Sequence, residues 1–171
     1  MTISMYQASI PVFQKLLDNL DLQLDKAAAD ATARKIDPSV FLQARLAPDM
    51  FALTRQIQIA ADFAKGTAAR LAGLEVPKWD DNEASIADLK ARIKKTTDYI
   101  AGFKAGQIDG SEGRDVTFKG GGGDMHFKGQ DYLLGFAMPN FYFHYTMAYA
   151  ILRHNGVAVG KKDFVAGRTA S

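Results

Sequence analysis

The sequence predicts an all-α fold, an antiparallel four-helix bundle with a small β-hairpin inserted between the third and fourth helices. Three observations predict it. Four long segments repeat apolar residues at spacings of three and four, the period of one helix face. Short connections join them, as antiparallel neighbours require. Between the third and fourth segments the period drops to two, on both sides of a run of four glycines. A chain of 171 residues suits one domain, 1–171, with a single sizeable core.

The first segment runs from about Ile3 to Ala29, with Tyr6, Ile10, Phe13, Leu17, Leu20 and Leu24 on one face. Pro11 interrupts it, so the helix kinks there or restarts with Ser9 as its cap. Asp37-Pro38 then predicts a short helix over Ser39 to Gln43. Pro48 opens the second long helix, with Asp49 in its first turn. Its apolar face is Met50, Leu53, Ile57, Ala60, Ala61, Ala64, Ala68 and Leu71, and Gly73 closes it as a left-handed cap. After the linker LEVPKWDDNEA, Ser85 and Asp88 form a capping box for the third helix. There Ile86, Leu89, Ile93, Ile100 and Phe103 face inward, while Lys90, Arg92, Lys94, Lys95 and Asp98 stay wet. RDVTFK and DMHFK alternate around Gly120-Gly121-Gly122-Gly123 and predict the hairpin. Two strands are marginal alone, so the hairpin leans on the helices. Gly129 to Phe136 is ambiguous between loop and helical turn. Pro139 starts the last long helix, Asn155-Gly156 stops it, and a terminal loop follows. That helix is apolar on nearly every side, which predicts a central position.

Composition narrows the function. Lys and Arg total 21 against 19 Asp and Glu, a net charge of +2 with no basic run, so no nucleic-acid partner is expected. The absence of cysteine excludes disulfides, thiolate catalysis and Cys-ligated metal sites. No apolar run approaches the roughly 20 residues that span a bilayer, and the N-terminus predicts no signal peptide. A cytoplasmic protein without a membrane partner is the expectation. GGGG lies between two strands, and GVAVGKK has three residues between its glycines and no Ser or Thr after Lys, so neither is a phosphate loop. No G-x-S-x-G elbow occurs.

The polar residues of the last helix carry the site reading. In PNFYFHYTMAYAILRHNG, Asn140 and His144 stand one turn apart on one face. Gln56, one residue off the core stripe of the second helix, completes a polar cluster between the two helices. Such a trio binds a ligand in the bundle, with His144 as candidate base and Gln56 and Asn140 fixing the ligand, or it only locks helix register. One imidazole and two neutral amides make a poor divalent-metal site, so no cofactor is expected. His154 belongs to the helix C-terminus, and His126 faces away from Met125 and Phe127 in the hairpin.

ARLAPDMFALTRQIQIAADFAKGTAARLAG, EASIADLKARI and PNFYFHYTMAYAILRHNGVAVGKKDF together resemble a bacterial domain of unknown function in the DinB/YfiT-like metalloenzyme superfamily. The resemblance covers nearly the whole chain and implies the four-helix bundle. It also implies a divalent metal, zinc or nickel, held by three histidines, one on helix two and two spaced four apart on helix four. Placing Leu152-Arg153 on the Leu-Arg pair that follows the helix-four block puts His144 at the second helix-four histidine and Asn140 at the first. Gln56 matches the helix-two ligand. One expected ligand is kept and two are replaced by amides. The resemblance further implies a homodimer and, as an alternative function, a metal-dependent thiol transferase or isomerase. A non-catalytic structural or interaction protein is the other alternative.

Overall fold

A computed structural model describes residues 3–120 and 122–166. These residues are mostly helical, with one two-stranded antiparallel sheet among them. Its long helices are α1 (Ile10–Arg34), α3 (Leu53–Ala72), α4 (Ile86–Ala101) and α7 (Met138–His154), joined by short α2 (Ser39–Gln43), α5 (Ala105–Ile108) and α6 (Gly129–Asp131). The predicted terminal loop contains a further short helix, α8 (Lys161–Val165). Helix α3 packs on α7 and α4, while α1 packs on α4, α7 and α8. Among the described residues no helix is long and apolar enough to cross a membrane.

The predicted apolar stripes form one core. Phe13, Leu17, Leu20 and Leu24 of α1, Leu53, Ile57, Ala64 and Leu71 of α3, Leu89 and Ile100 of α4, and Phe141, Tyr145 and Leu152 of α7 are fully buried. Helix α1 restarts at Ile10 with Ser9 as its cap residue. Ser9 does not cap through its side chain, because Oγ instead donates to the Met5 carbonyl at 2.6 Å. Asp37 accepts from the Ser39 amide at 2.9 Å and seeds α2 as the Asp-Pro pair predicts. Helix α3 begins at Leu53 rather than Pro48, whose neighbours form a turn closed by Met50 N–H donating to the Ala47 carbonyl at 3.0 Å. Gly73 ends α3 at φ 72°, the left-handed conformation that favours glycine. Ser85 accepts from the Asp88 amide at 3.1 Å, the cap predicted for α4.

Strands β1 (Asp115–Gly120) and β2 (Gly123–Lys128) pair Val116 with Phe127, Phe118 with Met125 and Thr117 with His126. Phe118 and Phe127 pack on Tyr132 and Phe136, and the Arg70 guanidinium covers Phe118 at 4.4 Å. The ambiguous stretch resolves into α6 followed by a π-helical turn, Tyr132–Ala137, running directly into α7. Pro139 explains it. Inside a continuous helix proline removes a backbone donor and crowds the carbonyl four residues earlier, so the ladder widens just upstream. Glycine is required at 129, where an added Cβ would stand 2.0 Å from the Ser111 carbonyl oxygen.

Two further expectations are corrected. Arg92 does not stay wet: it is 4% exposed, packed among carboxylates that come from outside its own helix. Helix α7 is not buried on every side, since Tyr142 and Phe143 are 41% and 52% exposed.

Candidate functional site

Helices α3 and α7 bring Gln56 and His144 into contact. Both are buried, and His144 Nδ1 lies 2.7 Å from Gln56 Oε1. The amide orientation fixes the tautomer. Gln56 Nε2 donates to the Phe51 carbonyl at 3.1 Å, and a carbonyl can only accept, so Oε1 must face the imidazole. Nδ1 therefore carries the hydrogen, and Nε2 holds the lone pair. Among the described residues none is hydrogen-bonded to Nε2. Burial, assisted by the positive charge of Arg55, pushes the imidazole pKa down to about 4. His144 is neutral at neutral pH.

Asn140 sits one turn earlier on the same face, half-buried, and does not join that pair. Its Nδ2 turns back to donate to the Phe136 carbonyl at 2.8 Å. Two of the three predicted residues thus meet directly, and the third keeps its amide nitrogen committed to its own helix. His126 is exposed on the hairpin, its Nδ1 3.3 Å from Thr117 Oγ1, and His154 is exposed in the last turn of α7.

Aromatic rings flank the imidazole. Phe63 stacks on His144 with centroids 6.1 Å apart at 17°, and Phe143 meets the ring edge-on at 5.2 Å and 88°. Phe63 also touches Phe136, at 5.8 Å. Phe63 lies seven residues after Gln56, two turns on along the same face of α3, so periodicity contained that signal. Arg55 had no such signal. Its guanidinium is held by Asp81 and by Gln58 Oε1, the latter at 3.2 Å. Among the described residues no group of three or more His, Cys, Asp or Glu side chains converges as a metal-binding cluster.

A second polar assembly, on the α4 side of α3, was not foreseen. The Arg92 guanidinium contacts Asp62 at 3.0 Å, Asp81 at 2.9 Å and Glu83 at 2.8 Å, and it donates to the Asp80 carbonyl at 3.2 Å. Gln58 Nε2 donates to Glu83 at 2.7 Å. Lys65 and Lys95 each place an ammonium 4.4 Å from the Trp79 ring centroid. These contacts pin the 74–84 linker to α3 and α4.

A family model described as a domain of unknown function (DUF1993) matches residues 5–165. The chain belongs to the DUF1993 family. This DUF1993 protein is similar to the crystal structure of a DinB family member protein from Shewanella denitrificans. The two are 40% identical with a TM-score of 0.87, over 97% of this chain and 93% of that one. No curated protein matches. The DUF1993 chain is accordingly DinB-like.

Proposed function

We propose that the Gln56–His144 pair is the polar end of a small-molecule site that works without a metal ion. The observation that carries this reading is the 2.7 Å contact between Nδ1 and Oε1, which leaves a neutral imidazole with one acceptor free among the described residues and flanked by aromatic rings. An apolar recess with a few oriented polar groups is the usual form of a ligand site. The ligand group that suits Nε2 is a hydrogen-bond donor, a hydroxyl or an amide N–H. With a pKa of about 4 the imidazole accepts a hydrogen bond well and abstracts a proton poorly at neutral pH, which favours binding over general-base catalysis. We read the four long helices as an antiparallel DinB-type bundle in one domain, and the resemblance suggests a homodimer.

The DinB-like fold implies a divalent metal, and the residues present do not fit one. At the three positions stand one imidazole lone pair, an amide oxygen already accepting from Nδ1–H, and an amide whose nitrogen is committed to Phe136. No carboxylate supplies charge, and Arg55 adds a positive field at the imidazole. Zinc sites take three or four donors from His, Cys and carboxylate. A metal-dependent thiol transferase or isomerase is therefore the weaker reading.

A purely structural role is the second reading, favoured by one observation: Gln56 uses both ends of its amide within the fold, tying Phe51 to α7. Metal analysis of tag-free protein, together with thermal-shift screening of wild type and His144→Ala, separates the three. The proposal expects no stoichiometric zinc or nickel, and compounds whose stabilisation disappears in His144→Ala. One zinc or nickel per chain that is lost in the variant would establish the metalloenzyme reading instead. A screen with no His144-dependent compound would leave the structural role.

A further inference from the structure

A groove of about 520 Å3 lies on the other side of α7, where α1, α7 and α8 meet. Tyr142 lines it, two residues and so roughly 200° around the helix from His144. Its walls are mainly apolar, Val12 and Leu16 from α1, Tyr142 from α7, and Phe164 and Val165 from α8, with Gln7 as the one neutral amide in the lining. Lys15 is the one charged residue in the lining. Among the described residues Lys15 makes no ion pair, and no carboxylate lines the groove to neutralise it.

The α8 wall is fixed from beneath. Helix α8 buries no residue of its own, so packing alone does not seat it. Three fully buried side chains do. Asn19 Nδ2 and the Tyr145 hydroxyl both donate to the Phe164 carbonyl, at 3.0 and 2.7 Å, and Gln23 Nε2 donates to the Asp163 carbonyl at 3.2 Å. The Phe164 ring packs on Tyr145 with centroids 4.5 Å apart and on Tyr149 at 5.4 Å. The wall is thus held in place before any ligand arrives, which lowers the ordering cost of binding.

We propose that this groove binds an amphipathic carboxylate, its chain or ring against Val12, Leu16, Tyr142 and Phe164 and its carboxylate at Lys15 Nζ. Apolar walls alone accept any hydrophobe of suitable size. An ammonium unpaired among the described residues, with no carboxylate in the described lining, selects the anionic one. The volume lies within the few-hundred to ~1,000 Å3 range of small-molecule sites.

Calorimetric titration of the full chain with octanoate, octanol and octylammonium at pH 7 tests it. Octanoate is expected to bind once per chain and more tightly than the other two. Lys15→Ala should weaken octanoate about fivefold, the upper end for an exposed ion pair, and leave octanol unchanged. Val12→Trp, which fills the groove, should remove both while the helical circular-dichroism spectrum is retained. If Val12→Trp does not fold, Tyr142→Ala at the exposed rim takes its place and should weaken both. Octanol or octylammonium binding as tightly as octanoate, octanoate binding that survives the groove variants, or no heat at millimolar ligand would each overturn the proposal. So would a dimer in sedimentation that Val12→Trp splits, because the groove would then belong to a second copy.

Discussion

Replacing Arg92 with Met tests how the linker is held to the helices. The substitution keeps much of the side-chain volume and removes a guanidinium whose side chain is 3% exposed. Its partners differ in weight. Asp62 and Asp81 are 37% and 38% exposed, so water screens them and their pairs contribute little. Glu83 is 9% exposed and 2.8 Å away, and without Arg92 it keeps no cation, only the Gln58 amide and its own backbone N–H. Stranding one partner of a buried ion pair costs about 3–5 kcal/mol. Arg92 Nε is itself buried without a partner, a penalty that methionine removes, so the expected loss is at the lower end, about 3 kcal/mol. For a chain of this length that is a fall in Tm of roughly 6–12 °C.

Urea unfolding at pH 7 measures the loss, and a cycle with Glu83→Gln apportions it. Glutamine at 83 carries no charge to strand, so the double variant should recover about half or more of the loss. The pH dependence follows. Burial alone would raise the Glu83 carboxyl, but hydrogen bonds from Arg92 and Gln58 outweigh it and hold it below 4.5. A carboxyl depressed by folding stabilises above its unfolded pKa, and that contribution is lost as pH falls through the folded value. Wild type should therefore lose stability below about pH 4.5, and the double variant should lose less. A loss under about 1 kcal/mol for Arg92→Met, or an equal effect of Glu83→Gln with and without Arg92, would refute the reasoning.

Four further outcomes are expected. Gln56→Glu places a carboxylate at Nδ1–H and should raise the His144 pKa from about 4, read by NMR titration; an unmoved value contradicts the contact. Arg55→Met removes a nearby positive charge and should also raise it, by less, because burial is the larger cause. Since folding depresses the His144 pKa from 6.5 to about 4, the unfolded chain takes up that proton first; wild-type stability should slope downward from about pH 6.5 to about 4, relative to His144→Gln measured in parallel, and no difference in slope would count against a buried neutral imidazole. Ser85→Ala removes the N-cap acceptor of α4 and should cost about 1 kcal/mol in urea unfolding.

Much of the scaffold was legible because its determinants are local. Asp37-Pro38 and Ser85–Asp88 carry their own hydrogen bonds, and the core stripes of α1, α3 and α4 follow from period alone. The meeting of Gln56 and His144 was legible too, since each sits on or beside a core-facing stripe. What escaped depends on distant chain. Arg92 stands among Lys90, Lys94 and Lys95 in sequence and reads as solvated; Asp62 and Glu83 draw it inward, and neither belongs to its helix. The start of α3 moved from Pro48 to Leu53, and the Gln56 side chain holds the Phe51 carbonyl just ahead of the helix. The π-helical turn follows from Pro139 only once the preceding residues are known to be helical. Asn140 shares its face with His144 as its spacing requires, yet bonds to its own helix, a choice between two acceptors that spacing does not decide.

Arg55 links the two polar assemblies of α3. On one side the helix offers charge: Arg55, Asp62 and Lys65 take part in ion pairs that reach Asp81 and Arg92. One position on, Gln56 offers only an amide to a neutral ring. The guanidinium of Arg55 is fixed by Asp81 and Gln58, so its field reaches His144 from a set position and favours the uncharged imidazole. A cation at Nε2 would meet what Asp81 leaves of that field, with no metal-binding cluster of carboxylates among the described residues to hold it, whereas a neutral donor needs none. The residue types at 56 and 140 and the charge at 55 therefore point the same way, and that agreement between independent positions supports the proposed hydrogen-bonded ligand over a coordinated metal ion.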